Sequence, residues 1–285
     1  MKRGAILLVS AAAAFVLGGC AGIDVTSVAT IAAKGVPKAV QASRPINDSE
    51  EYYVGRAVGA RILAQQSLRQ DPELTRYVNE VGQTVARKSA RPQTFKGYHF
   101  AVLDTQEPNA FACPGGLILI TRGLLQTCES EDELAAVLAH EVSHVANKDG
   151  INSISQARWT EVLTTMGTEA ARQYAGAAGS LVSLFEGSID DVFKTIVVSG
   201  YSRSAEEAAD AAAVQTLRQA GYDPGAVASL LDKMMAKEKG APGGMFKTHP
   251  PTADRLAKVK ALVGEGKAPE KEVAARTQRF QKYKI

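Results

Sequence analysis

Apolar positions recur at helical spacing through most of the chain. Between Glu50 and Gln66, Val54, Val58, Ile62 and Leu63 fall on one face, which predicts an amphipathic helix. Asp71-Pro72 supplies an N-cap and a first-turn proline. It opens a second helix through about Arg87 with Leu74, Val78, Val81 and Val85 inward. The period then shortens. Tyr98 to Leu103 reads as a strand, with His99 on its face. Glu107-Pro108-Asn109 is a turn, and two short runs, Ala110 to Cys113 and Leu117 to Thr121, flank Pro114-Gly115-Gly116 as an antiparallel hairpin. A sheet this small has edge strands, and an exposed edge would let an extended peptide add as one more strand.

The helical pattern returns after Gly123-Leu124-Leu125. Ser130 and Glu133 match a capping box, and Glu131 to Asn147 runs without Gly or Pro, with Leu134, Val137, Leu138, Val142 and Val145 at helical spacing. Ile151 to Tyr174 is mostly helical, with Trp159 as a packing anchor, up to an Ala/Gly-rich break at Tyr174 to Ser180. Leu181 to Phe185 and Val192 to Val198 are apolar and predict two helices closing over a cleft. An Ala-rich helix from Glu206 ends at Gly221. Asp223-Pro224 starts another through about Lys237, with Val227, Leu230, Leu231 and Met234 on one face. A flexible Gly240 to Gly244 loop precedes a last helix from about Thr252 to Val263. The fold class is α+β, mainly α, with a small mixed or antiparallel sheet.

The two ends carry no core. Lys2 and Arg3 precede an apolar run from Ala5 to Leu17, too short to span a membrane, and Leu17-Gly18-Gly19-Cys20 matches a lipobox. Residues 1–19 are expected to be a lipoprotein signal peptide. Cys20 is then the lipidation site, and residues 20–49 tether lipid to domain. Ala21 favours the outer membrane. The folded domain is expected over residues 50–263, and 264–285 is expected to be a charged C-terminal tail, either a loosely packed helix or solvated. Formal charge is +3, and loss of the two basic residues of the signal leaves +1, which excludes a nucleic-acid partner as a driving idea. In an oxidising compartment Cys113 and Cys128 either pair or remain buried thiols.

The chemistry sits in the capped helix. His140-Glu141-Val142-Ser143-His144 reads H-E-x-x-H in a chain with 4 His. Residues four apart share a helix face, so His140 and His144 can grip one metal ion. Glu141 is placed to take a proton from water that zinc has activated. A catalytic zinc needs a third protein ligand, and Glu206, Glu207 and Asp210 on the Ala-rich helix are the candidates. Spacing alone leaves these three open.

Several stretches recur together in one order: Asn109-Ala110-Phe111-Ala112 with Pro114-Gly115-Gly116, Thr121 to Leu125, Asp132 to Ala135, His140 to His144, Ser202-Arg203 with Glu206 and Asp210, and Thr248-His249-Pro250 with Arg255. From about residue 50 to 263 the chain resembles the family forty-eight zinc metallopeptidases, a gluzincin-like fold that includes the HtpX and CAAX prenyl protease types. The lipobox brings it nearer the periplasmic BepA and LoiP lipoprotein type. The resemblance implies that Glu206 is the third zinc ligand and that Asp210 orients a ligand histidine. It implies that His249 reaches the open metal position or gates it, the local alternative being a helix-capping turn from Thr248 to Thr252. Tyr201 and Arg203 are candidate donors to the oxyanion. Asp149 departs from the family pattern and is given no ligand role. The expected activity is hydrolysis of misfolded or unassembled envelope proteins on the periplasmic face of the outer membrane, in reach of outer-membrane assembly machinery. The alternative is a periplasmic chaperone or assembly factor with a structural or latent zinc.

Overall fold

The computed structural model describes residues 47–153, 189–238 and 245–283, all within one compact unit made of residues 45–161 and 176–285. The signal peptide, Cys20 and most of the tether lie outside the described residues, as do Trp159, the Ala/Gly-rich break and the Gly240 to Gly244 loop. Among the described residues no helix is long and apolar enough to cross a membrane.

In chain order the elements are α1 (Asp48–Leu63), α2 (Pro72–Ala86), β1 (His99–Leu103), β2 (Ala110–Cys113), a 3-10 turn (Pro114–Gly116), β3 (Leu117–Thr121), α3 (Arg122–Thr127) and α4 (Glu131–Ala146). A π-helix (Lys194–Ser199), α5 (Arg203–Ala220), α6 (Gly225–Glu238), α7 (Met245–Thr248), α8 (Ala253–Val263) and α9 (Glu270–Gln281) follow. Asp71 caps α2 by accepting from Leu74 N, and Ser130 caps α4 by accepting from Glu133 N at 3.2 Å. The return half of the capping box is displaced by one residue, because the Glu133 carboxylate accepts from Glu129 N at 2.7 Å.

The sheet is mixed, in the order β1-β3-β2: β1 runs parallel to β3, and β2 pairs antiparallel with β3, Ala110 opposite Ile120 and Cys113 opposite Leu117. Period-two alternation divides the interior. Ala110, Ala112, Ile118 and Ile120 face the main core with α2 and α4, whereas Phe111, Cys113 and Leu119 face a second cluster with Val54, Val58 and Ile62 of α1. Cys128 belongs to the main core, on the opposite face of the sheet from Cys113. This corrects the pairing considered for these cysteines: the structure has no Cys113–Cys128 disulfide. Burial raises the Cys113 thiol to a pKa of about 12, where it is an inert core residue.

β2 is an edge strand of this sheet; all four of its residues are buried, and Ile196 of the π-helix packs in the cluster formed by Phe111, Cys113 and Leu119 on one sheet face. The hairpin turn is held from behind. Gly115 adopts φ 73, and a Cβ on Gly55 of α1 would sit 1.7 Å from Pro114 O, so helix and turn meet only because Gly55 has no side chain.

Helix α4 is the axis of the unit. The pattern predicted one apolar face, but the helix is wrapped by α2, α5, α6, α9 and the sheet, and Glu131 to Val145 are all buried. Its three first-turn carboxylates complement the helix dipole, and all three are claimed by other elements. Glu131 accepts from Tyr77 Oη at 2.9 Å, Tyr222 Oη at 3.1 Å and Arg279 Nε at 2.6 Å. Asp132 takes Arg276 at 2.9 Å through both oxygens, and Asp223 N at 2.7 Å. Glu133 takes Lys233 and Ser229.

These arginines belong to the segment expected as a charged tail. It is a docked helix: Arg276 and Arg279 seek the buried acids of α4, Phe280 inserts into the core, and Tyr283 stacks on Tyr77 at 4.2 Å between ring centroids. Charge that read as solvation is ion-pairing. Phe280→Ala is expected to cost about 3–5 kcal/mol in denaturant unfolding, the usual loss for a buried aromatic. A loss below about 0.5 kcal/mol, the range of surface changes, would show that α9 does not dock.

Candidate metal centre

His140 and His144 lie one turn apart on α4, and Glu206 reaches them from the first turn of α5, which Ser202 caps. The Nε2 atoms of the two histidines are 3.1 Å apart. Glu206 Oε2 is 3.4 Å from His140 Nε2, and its Oε1 is 3.5 Å from His144 Nε2. A tetrahedral zinc with bonds of about 2.0–2.1 Å separates its ligand atoms by roughly 3.3 Å. The two Nε2 atoms and the Glu206 carboxylate, one oxygen toward each histidine, therefore stand at separations close to those of tetrahedral zinc ligands, and the donor set of two imidazoles and a carboxylate suits zinc.

His249 also enters the cluster. The turn after α7 carries it, anchored by Met245 N donating to Pro108 O and by Gly200, where a Cβ would sit 2.2 Å from Thr248 O. Its Nδ1 is 2.9 Å from Glu206 Oε1 and 3.4 Å from His140 Nε2. Candidate ligand atoms of His140, His144, Glu206 and His249 all lie within 4.8 Å of one another, and all four residues are buried. The ring of His249 thus sits in the site, while Thr252, not His249, makes the capping bond of α8.

Each of the two α4 histidines is held from behind. His140 Nδ1 is 3.1 Å from Asp210 Oδ1, one turn beyond Glu206 on α5. His144 Nδ1 is 2.8 Å from Asp149 Oδ2. A carboxylate accepting from Nδ1 leaves the Nε2 lone pair for a metal. Asp210 is in turn gripped by Arg255 at 2.7 and 2.8 Å. Arg255 Nη1 stands 2.9 Å from Glu206 Oε2 but directs its hydrogen bond to Pro250 O. Glu207 points elsewhere, paired with the exposed Lys258.

Glu141 is fully buried, and neither carboxylate oxygen has a hydrogen-bond partner; the nearest cation-forming group is His249 Nε2 at 3.7 Å. Tyr201 stacks on His144 with ring centroids 4.3 Å apart, and its buried hydroxyl also lacks a partner. Unsatisfied buried groups of this kind are costly, and they cluster where a ligand or water completes the site. Arg203, by contrast, is exposed at the start of α5, so the structure does not bring it to the centre.

Two residues escaped the sequence reading. Nothing in Lys148-Asp149 signals that Asp149 folds back onto His144, because that depends on the backbone at Lys148, whose φ is 58. Arg255 stood only as part of a recurring motif; its burial among Glu206 and Asp210 follows from how α8 crosses α5.

The electrostatics are those of a site that competes with protons for a cation. Burial opposes charge on His140, but Asp210 and Glu206 outweigh it and push its pKa to about 10. His144 is raised against the same burial by Asp149 and Glu206. Glu206, despite burial, is held far below the carboxylate range by His249, His140 and His144. In chelator-treated protein the raised His140 contributes stability that is full below its unfolded value of 6.5 and lost as pH rises through about 10. Metal binding needs the neutral imidazole, so its stabilisation grows over the same window. The difference in Tm between zinc-loaded and chelator-treated protein is expected to widen from pH 6.5 to 10 in scanning fluorimetry. A constant or shrinking difference contradicts this coupling.

Comparison with known proteins identifies a peptidase family. Peptidase family M48 matches residues 72–263. The chain is 27% identical to the beta-barrel assembly-enhancing protease of Yersinia pestis over 86% of its own length and 50% of the relative's. Against the protein of that name in Escherichia coli (strain K12) it is 29% identical, covering 73% of this chain and 41% of the relative. It therefore spans half or less of these relatives. Metalloprotease LoiP of the same E. coli strain is 26% identical over 89% of this chain and 94% of LoiP.

Proposed function

The chain belongs to peptidase family M48 and is a metallopeptidase, and from that premise we propose that it is a zinc endopeptidase acting on misfolded or unassembled proteins of the bacterial envelope. The observation that carries the reading is the triangle of His140, His144 and Glu206 at tetrahedral spacing, beside a buried Glu141 with no partner. A zinc held there supplies Lewis-acid activation of water near neutral pH. Glu141 takes the proton from the attacking water and passes it to the leaving amine. Tyr201, kept protonated by burial and by the nearby Glu141, donates its hydroxyl to the developing oxyanion. Asp210 holds His140 in its binding tautomer, and Arg255 holds Asp210.

The names of the relatives support substrates among β-barrel proteins and work near their assembly machinery. The lipobox at Cys20 supports a lipid-anchored protein at the periplasmic face of the outer membrane. A latent resting state is favoured by His249, which stands among the candidate ligand atoms. The test is cleavage of casein or an unfolded outer-membrane protein by the purified chain and by its Glu141→Gln variant. Equal cleavage by both removes the peptidase reading and favours an assembly factor with a structural zinc.

A further inference from the structure

We infer that Asp149 is the positioning residue of His144, aimed by a left-handed corner at Lys148 that is pinned to the start of α1. The inference rests on the zinc reading of the site and adds a residue to its support. Helix α4 ends at Ala146, and the next residues leave it through a corner in which Lys148 has φ 58. Only a few per cent of residues other than glycine adopt this region, and a long side chain gains nothing from it locally. Asn147 N and Lys148 N still donate to Ser143 O and Val145 O, so the helix end is satisfied while the chain reverses. That reversal brings Asp149 Oδ2 to 2.8 Å from His144 Nδ1, five residues back.

The corner is held by the Lys148 side chain. Its Nζ lies 3.1 Å from Asp48 Oδ1 and 3.4 Å from Glu51 Oε2. Glu51 is fully buried. It also takes both Arg91 nitrogens at 2.8 and 2.9 Å and accepts from Gly115 N at 3.0 Å. Arg91 extends to Asp48 Oδ1 and toward Val145 O in the last turn of α4. One buried carboxylate thus ties α1, the β2–β3 turn and the α4 exit together, and the strained Lys148 persists because its surroundings over-determine it. His144 has Tyr201 stacked against its ring and Asp149 as the acceptor at its Nδ1, so Asp149 decides which ring nitrogen carries the proton.

The test is metal affinity of the full chain, measured by competition with a chromogenic chelator. Asp149→Ala is expected to bind zinc about 10–100-fold more weakly, the usual effect of losing the partner of a ligand histidine. Asp149→Asn, whose amide oxygen can still accept the Nδ1 proton, is expected to recover most of that loss. It keeps the shape of the corner and so stays measurable if the alanine variant does not fold. With cobalt in place of zinc, its visible bands are expected to shift from those of the wild type as the donor strength of His144 falls. An alanine variant that binds zinc as tightly as the wild type, or an asparagine variant with unshifted cobalt bands, overturns the inference while leaving the zinc site standing. A wild-type chain that takes up neither metal overturns both.

Discussion

Glu141→Gln is expected to lower cleavage of an unfolded protein by about 10²–10⁴-fold, the range attributed to a positioned general base, while leaving zinc content unchanged. Glutamine has nearly the volume of glutamate, and Glu141 makes no hydrogen bond that the amide would lose. The side chain is fully buried inside α4, so packing should survive and the loss should appear in kcat. Stability is expected to hold or rise, because a buried carboxylate without a partner costs folding energy that a neutral amide costs less of. The measurement pairs steady-state cleavage with zinc per chain and thermal unfolding on the same preparations. Retained activity with retained zinc would remove Glu141 from the reaction. Lost activity with lost zinc would turn it into a structural support of the site.

The second large effect separates two adjacent glutamates. Glu206→Gln is expected to drop zinc from about one per chain to near none, as removal of one of three protein ligands does. Glu206 is 1% exposed and faces His140, His144, His249 and Arg255. Without its charge these cation-forming groups confront one another, and breaking a buried charge cluster in this way costs about 3–5 kcal/mol. Glu207→Gln is expected to change neither. Its ion pair is with Lys258, whose side chain is 58% exposed, and such pairs contribute about 0–1 kcal/mol. Metal analysis and denaturant unfolding of the two variants decide the matter: stoichiometric zinc in Glu206→Gln, or zinc loss in Glu207→Gln, would reassign the third ligand.

Local signals carried much of the architecture. Asp71-Pro72 and Ser130 announced helix starts because their oxygens cap nearby backbone groups, and those caps form as expected. Pro114-Gly115-Gly116 announced the hairpin because few other residues accept φ 73 at Gly115. H-E-x-x-H announced a pair of ligands because a helix places residues four apart on one face, and their Nε2 atoms do meet at 3.1 Å. The tail misled for a physical reason. An arginine that will meet a buried carboxylate from a distant element looks, in sequence, like one that will meet water.

What the sequence determined by itself is whatever depends on neighbours within one turn or one strand repeat: the helices, the hairpin, the two histidines and the adjacent base. Only the tertiary structure decided which helix crosses α4 and at what depth. That crossing turns Glu206 toward the two histidines and Glu207 away from them, the arrangement the resemblance implied, sets Asp210 behind His140, and buries Arg255 beside both acids. It also placed Cys113 and Cys128 on opposite faces of the sheet and turned Asp149 onto His144. Each of these is a contact between segments whose relation is set by packing, or by a single left-handed residue, and neither leaves a periodic trace along the chain.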